Sequence, residues 1–239
     1  RGRAGKETAT TFTGMKFNAS GLAPTWTWSE APIGFATPFD LDLESNWYGC
    51  APKITVNGTD EEADTPDADY WSRGTGGSGE DSAMSVGAWL LSPVGTSILT
   101  KYNDASTSQR EWRFQYGSSA VSLFCIDQSE AKYISRASGT FTTTAPTFVV
   151  ATYDGSEAGT GMNLYINGVV NNGAVTDEVG YVSMENTAGL PTLFARQEPD
   201  NLYSGSMFGG PFGPFYLQVA LTAEQIYNIY AYEAALLGM

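Results

Sequence analysis

Gly, Asn, Asp, Ser and Pro cut this chain into short apolar runs along most of its length, and that punctuation leaves few folds open. The runs include "KITV" (53–56), "MSVGAWLL" (84–91), "SILTKY" (97–102), "EWRFQY" (111–116) and "AVSLFCI" (120–126). "TFVVATY" (147–153), "MNLYI" (162–166), "PTLFAR" (191–196) and "GPFYLQVA" (213–220) follow. Each has the length and β-branched or aromatic content of a strand. Asn167-Gly168 stands between "LYI" and "VV" and predicts a two-residue hairpin, because both residues tolerate positive φ. Asn57-Gly58 and Asn172-Gly173 give similar signals with less clean flanks. Many short strands separated by turns predict an all-β sandwich or barrel.

The 239 residues hold one large all-β domain or two small ones, and with 42% hydrophobic residues they can bury a core. The chain carries 26 acidic against 12 basic residues, a formal net charge of −14. Nucleic-acid binding rests on Lys and Arg neutralising phosphates, so this balance argues against it. It favours solubility in an extracellular or particle-surface setting. Histidine is absent, which removes Ser-His-Asp and Cys-His catalysis and His-ligated metal sites together. Cys50 and Cys125 lie too far apart for a zinc or redox motif, and the sequence leaves a disulfide and two buried thiols equally open. No apolar run is long enough for a membrane span, and residue 1 opens no signal peptide. A start at Arg1 leads to the expectation that an upstream piece was cleaved, omitted or left unsequenced.

One helix is predicted, at "LTAEQIYNIYAYEAALLG". Thr222 and Gln225 have capping-box spacing, Gly238 is placed to end the helix, and Ile226, Ile229, Tyr230 and Leu237 fall near one face. Residues 1–20 show little periodicity and read as an arm reaching a partner subunit or as a frayed terminus. Residues 72–82 read as a Gly/Ser-rich flexible loop, and no internal repeat is evident.

Four segments, in order, resemble a laminin-G-like, concanavalin A-like jelly-roll module. They are "ITVNGTDEEADTPDADYWS", "MSVGAWLLSPVGTSILTKY", "FVVATYDGSEAGTGMNLYINGVV" and "FGPFYLQVALTAEQIYNIY". The resemblance runs from about Lys53 to Met239, and "TYDG…LYINGVV" and "ALTAEQI" are its specific parts. It implies a two-sheet antiparallel jelly-roll sandwich with an N-terminal arm (1–48), a jelly-roll domain (49–239) and one C-terminal helix. Trp89, Trp112, Phe148, Leu164 and Phe215 are the expected core. Modules of this kind bind glycans, proteins or calcium, and "GGPFGPF" (209–215) is similar to segments of phage structural and bacterial surface proteins.

Three clusters are candidate sites. In "DLDLE", Asp40, Asp42 and Glu44 alternate with Leu41 and Leu43, the spacing that places three carboxylates on one face of a strand. Related glucanases build a retaining site that way, but Asp40 and Glu44 have Cα atoms ~13 Å apart, whereas a retaining pair needs carboxyls ~5–5.5 Å apart. Leu41 and Leu43 facing inward with the acids in water is the simpler reading. Trp26 and Trp28, with Trp47 and Tyr48, could stack on sugar rings or pin the N-terminal segment onto the sandwich. The acidic run that includes Asp60 and Asp64 offers hard oxygens suited to calcium, though in no EF-hand spacing. The N-x-[ST] sequons at Asn18 and Asn57 matter only if the host glycosylates.

These observations predict a non-catalytic structural or adhesion module on a virion or cell surface. Its expected partners are other structural subunits or its own copies, and a surface glycan, with neither nucleic acid nor membrane. The alternatives are a calcium-dependent lectin and a retaining glycosidase at "DLDLE".

Overall fold

The computed structural model describes residues 66–74, 80–91, 93, 97–103, 109–192 and 214–239 in full. It also gives the strand backbone of 6–12, 33–42, 47–48, 51–57, 63–64, 92–95, 193 and 203–208. The strands begin with β1 (Lys6–Phe12), β2 (Ile33–Asp42), β3 (Trp47–Tyr48), β4 (Ala51–Asn57) and β5 (Ala63–Asp64). The middle of the chain forms β6 (Met84–Gly95), β7 (Ser97–Asn103), β8 (Gln109–Gly117), β9 (Ala120–Asp127), β10 (Lys132–Ser138) and β11 (Thr147–Tyr153). Then come β12 (Met162–Ile166), β13 (Val169–Val170), β14 (Asn172–Asp177), β15 (Pro191–Leu193), β16 (Tyr203–Phe208) and β17 (Phe215–Leu217), followed by helix α1 (Ala223–Leu236).

All described pairings are antiparallel, and they build two sheets. One runs β1-β2-β5-β15-β7-β8-β9-β10-β14, the other β13-β12-β11-β6-β16-β4-β3, with β17 pairing on β6 beside β16. The expected sandwich with one C-terminal helix is what forms. The structure adds β10, β14 and β16, and at the N-terminus it pairs Lys6–Phe12 with β2, where the sequence offered little periodicity.

Two cores separate the layers. Between the sheets lie Trp71, Met84, Val86, Ala88 and Leu90, facing Trp112, Phe114, Leu123, Cys125 and Ile134. The second core covers the outer face of the second sheet, where Trp89, Phe148, Val150, Tyr165, Phe215 and Leu217 meet Ile226, Ala234 and Leu237 of the helix and its end. Strand alternation makes this possible: on β11, Val149 and Ala151 enter the first core while Phe148 and Val150 enter the second. All five expected core residues are buried, but Trp112 and Leu164 belong to the first core and Trp89, Phe148 and Phe215 to the second. Each such side chain contributes roughly 1.5–3 kcal/mol by leaving water.

The helix is fastened at both ends. Thr222 Oγ1 accepts from Gln225 N–H at 3.2 Å while Gln225 Oε1 accepts from Thr222 N–H at 2.8 Å, closing the capping box. At the far end Gly238 adopts φ +75°, with Gly238 N–H donating to Ala235 O and Met239 N–H to Ala234 O, a Schellman arrangement. Trp89 Nε1 donates to Glu233 Oε2 at 2.6 Å beneath it, and burial pushes the Glu233 carboxyl up to about 7. The hairpin at Asn167-Gly168 takes φ of +51° and +77° and packs against Tyr227 and Tyr230 of the helix.

Two polar clusters tie loops to the first core. The Lys101 ammonium, fully buried, contacts Glu111 Oε1 at 2.6 Å, Ser72 Oγ at 2.7 Å, Thr187 O at 2.8 Å and Asp67 Oδ1 at 2.8 Å. Burial pushes the Glu111 carboxyl up to about 7 against the pull of that ammonium. Asp81 accepts from the hydroxyls of Tyr153 at 2.7 Å and Tyr181 at 2.6 Å and from Met184 N–H at 2.7 Å. Its burial raises its pKa, and burial raises both tyrosines as well. Cys125 is a free thiol buried in the core, raised by the same cause, whereas Cys50 lies outside the described residues.

Candidate functional site

The helix covers the outer face of the second sheet, while the first sheet carries a cleft of about 260 Å³. Tyr102 of β7, Arg110 and Arg113 of β8, Phe124 and Ile126 of β9, and Lys132 and Tyr133 of β10 line it, together with Ala131 and Glu178. Four neighbouring strands therefore each supply part of one wall.

Strand register explains how these residues meet. Arg113 pairs with Phe124 across β8 and β9, and Ile126 pairs with Tyr133 across β9 and β10. Arg110 and Arg113 stand three apart, which in a regular strand would send them to opposite faces. The register shifts between Lys101↔Trp112 and Tyr102↔Arg110, leaving Glu111 as the extra residue of a bulge. That bulge restores Arg110 to the cleft side and turns Glu111 inward to Lys101.

The lining is held in place. The Arg113 guanidinium lies 4.1 Å from the centroid of Phe124 and 5.3 Å from that of Tyr102, close enough for cation–π attraction to both rings. Phe124 and Tyr133 meet at 5.6 Å with their planes inclined at 51°. Arg110 Nε donates to Gln128 Oε1 at 2.7 Å. Glu178 is clamped to β10, its Oε2 accepting from Tyr133 N–H at 3.0 Å and its own N–H donating to Tyr133 O. The buried carboxylate of Asp127 organises the turn at the cleft's end: Oδ1 accepts from Ser129 Oγ and Glu130 N–H, and Oδ2 from Val182 N–H. Ala131 leaves that turn at φ +52°.

Among the described residues the cleft is thus an aromatic trough with three cationic side chains and one carboxylate, on a chain with more than twice as many acids as bases. Such a surface can stack on a flat apolar face, attract an anionic group and accept a hydrogen bond at Glu178.

The residues singled out in the sequence lie elsewhere. Trp26, Trp28, Glu44 and Asp60 fall outside the described residues. Trp47 and Tyr48 form β3 at the far edge of the second sheet, paired with Pro52 and Ala51. Asp40 and Asp42 occupy alternate positions of β2 opposite Thr8 and Lys6, and Asp64 sits on β5 opposite Thr192. Backbone alone is described for these strands. Among the described residues no cluster of three or more Asp, Glu or Cys side chains is placed to hold a metal ion. The sequence hides the cleft because β10 lacks a clear strand pattern and because the Glu111 bulge is invisible to a period of two. The available signal was the interleaving of Arg and aromatics in "REWRFQY" and "KYISR" on a chain poor in basic residues.

No family model matches the chain, and no curated protein matches it. Solved structures do. One is the botulinum neurotoxin serotype C1 binding domain, at TM-score 0.57 and 12% identity, over 93% of this chain and 52% of that one. A second is a botulinum neurotoxin type C structure whose cell entry depends on interaction with two ganglioside molecules, at TM-score 0.56 and 12% identity, over 93% and 51%. A third is the serotype D ligand-binding domain in complex with N-acetylneuraminic acid, at TM-score 0.51 and 11% identity, over 94% and 51%. The chain spans about half the length of these neighbours, and at such identities the likeness establishes the β-sandwich fold they share.

Proposed function

We propose that this chain is a non-catalytic, glycan-binding adhesion module of the laminin-G-like kind, displayed on a virion or cell surface. The observation that carries this reading is the aromatic and cationic cleft on the first sheet. Sugar rings present C–H faces that pack on aromatic rings and hydroxyls that bridge to charged side chains, and the cleft offers both partners within one wall. Hydrolysis of a glycosidic bond takes two carboxyl groups, and among the described residues the lining supplies one, Glu178. The sugar ligands of the structural neighbours, a ganglioside pair and N-acetylneuraminic acid, lend support from the same fold.

The test is a glycan panel incubated with the purified chain, with bound protein and released reducing ends read from the same wells. Binding without release, weakened at least tenfold by Tyr133→Ala with unchanged thermal unfolding, is the expected result. Release of sugar would overturn the non-catalytic reading and direct attention to Asp40, Asp42 and Glu44. A chelator arm separates a calcium-dependent mode at Asp60 and Asp64: loss of binding there would move the site away from the cleft.

A second reading, a subunit held by protein–protein contacts, is favoured by the exposed Val169 and Val170 on the edge strand β13 beside Tyr227 of α1. Sedimentation tests it. Concentration-dependent assembly abolished by Val170→Lys would support it, and a monomer at all concentrations would remove self-association.

A further inference from the structure

Charge in the cleft opposes charge on the molecule. Arg110, Arg113 and Lys132 are three of only twelve basic residues in a chain of net charge −14, and they converge on one wall. Grouping a quarter of its cations in one cleft gives such a chain a local attraction for an anion that the rest of its surface repels. The one acid among the described lining residues restricts which anion fits. Glu178 lines the trough, with Oε2 engaged by Tyr133 N–H, and its carboxylate has capacity for a further donor from the ligand. A bare sulfate brings no such donor and would place its charge against Glu178, and inorganic phosphate brings a P–OH but no apolar face for the rings. An extended polyanion would also face the chain's net charge of −14. A ring that carries one carboxylate, hydroxyl donors and an apolar face meets all three demands.

We propose that the cleft binds a saccharide bearing a carboxylate, such as a uronic or sialic acid residue. This assignment rests on the glycan-binding reading above and names the ligand class of that site. The carboxylate lies toward Arg110, Arg113 and Lys132, the ring packs on Tyr133 and Phe124, and hydroxyl or amide donors reach Glu178.

The experiment measures saturation-transfer NMR and titrated affinity for glucuronic acid against glucose, and for N-acetylneuraminic acid against its methyl ester. At least tenfold preference for each acid is expected. The preference should fall as NaCl is added and drop several-fold in Lys132→Gln and Arg110→Gln, while Tyr133→Ala weakens acidic and neutral sugars alike. Equal binding of acid and neutral partners, lost in Tyr133→Ala, keeps the glycan-binding reading and overturns the acidic assignment. No response to any of the four sugars at millimolar concentration overturns both. A second arm uses vesicles bearing a ganglioside. Capture released by free N-acetylneuraminic acid assigns recognition to the sugar, whereas capture that the free sugar cannot release assigns it to the lipid and overturns the proposal. Thermal unfolding of each variant, unchanged from the parent, excludes a folding defect.

Discussion

Glu233 is a carboxyl placed where a carboxylate is costly. It is buried under the helix, it accepts from Trp89 Nε1, and burial lifts it to about 7 from an ordinary 4.5. A folded pKa above the unfolded one means the native state holds the proton more tightly, so stability is full below about pH 4.5 and declines as pH rises toward 7 and beyond. The decline from this residue reaches about 3 kcal/mol, and Glu111 adds to it in the same direction. Urea unfolding from pH 5 to 8 should show the loss. Glu233→Gln keeps an acceptor for Trp89 and should flatten the profile, leaving a variant more stable than the parent above pH 7; an unchanged slope would show that Glu233 titrates normally. Lys101 makes the complementary case. Lys101→Met strands Glu111 and should cost about 3–5 kcal/mol, while the double change Lys101→Met with Glu111→Leu recovers most of that loss. Equal destabilisation by the single and double variants would count against the pair acting as a unit.

Among the elements, α1 was legible from "LTAEQI" to Gly238, because caps are local chemistry and need no partner to be recognised. Thr222→Ala opens the capping box and should cost about 1 kcal/mol in chemical denaturation. Gly168→Ala forces a Cβ into positive φ, 3.0 Å from Tyr230, and should cost about 1–2 kcal/mol. A neutral outcome at Gly168 would mean that the hairpin and helix give way together. β6 and β11 read as near-continuous apolar runs because each is buried on both faces, a pattern more usual in parallel sheets, produced here by the helix over an antiparallel one. β10 and β14 escaped because their half-buried or exposed positions carry Lys, Arg, Asn and Thr, and the pairing between the two joins residues distant in sequence, such as Ile134 and Asp177. A bulge such as Glu111 depends on the partner strand and leaves no period of its own.

At the scale of the molecule, the sandwich and its last helix were readable, whereas the cleft was not. The fold follows from many redundant apolar positions, any few of which suffice to indicate it. The cleft needs seven residues from four strands in one register, and each alone resembles an ordinary surface residue. The helix is also the lid of a core: a chain ending at residue 221 uncovers Trp89, Phe148, Phe215 and Leu217 and should aggregate, as read by light scattering. A soluble truncated chain would show that the second core is dispensable. The cleft's size carries its own consequence. At about 260 Å³ it falls below the ~300–1,000 Å³ of typical small-molecule sites, room for about one sugar ring. One such grip lets go quickly, but a surface studded with copies, spaced to match the glycans opposite, gains avidity on the order of 10²–10⁴ without a new contact. On the glycan-binding reading proposed above, what such a chain would discriminate is density: it would pass over sparse sugars and stick where they are crowded.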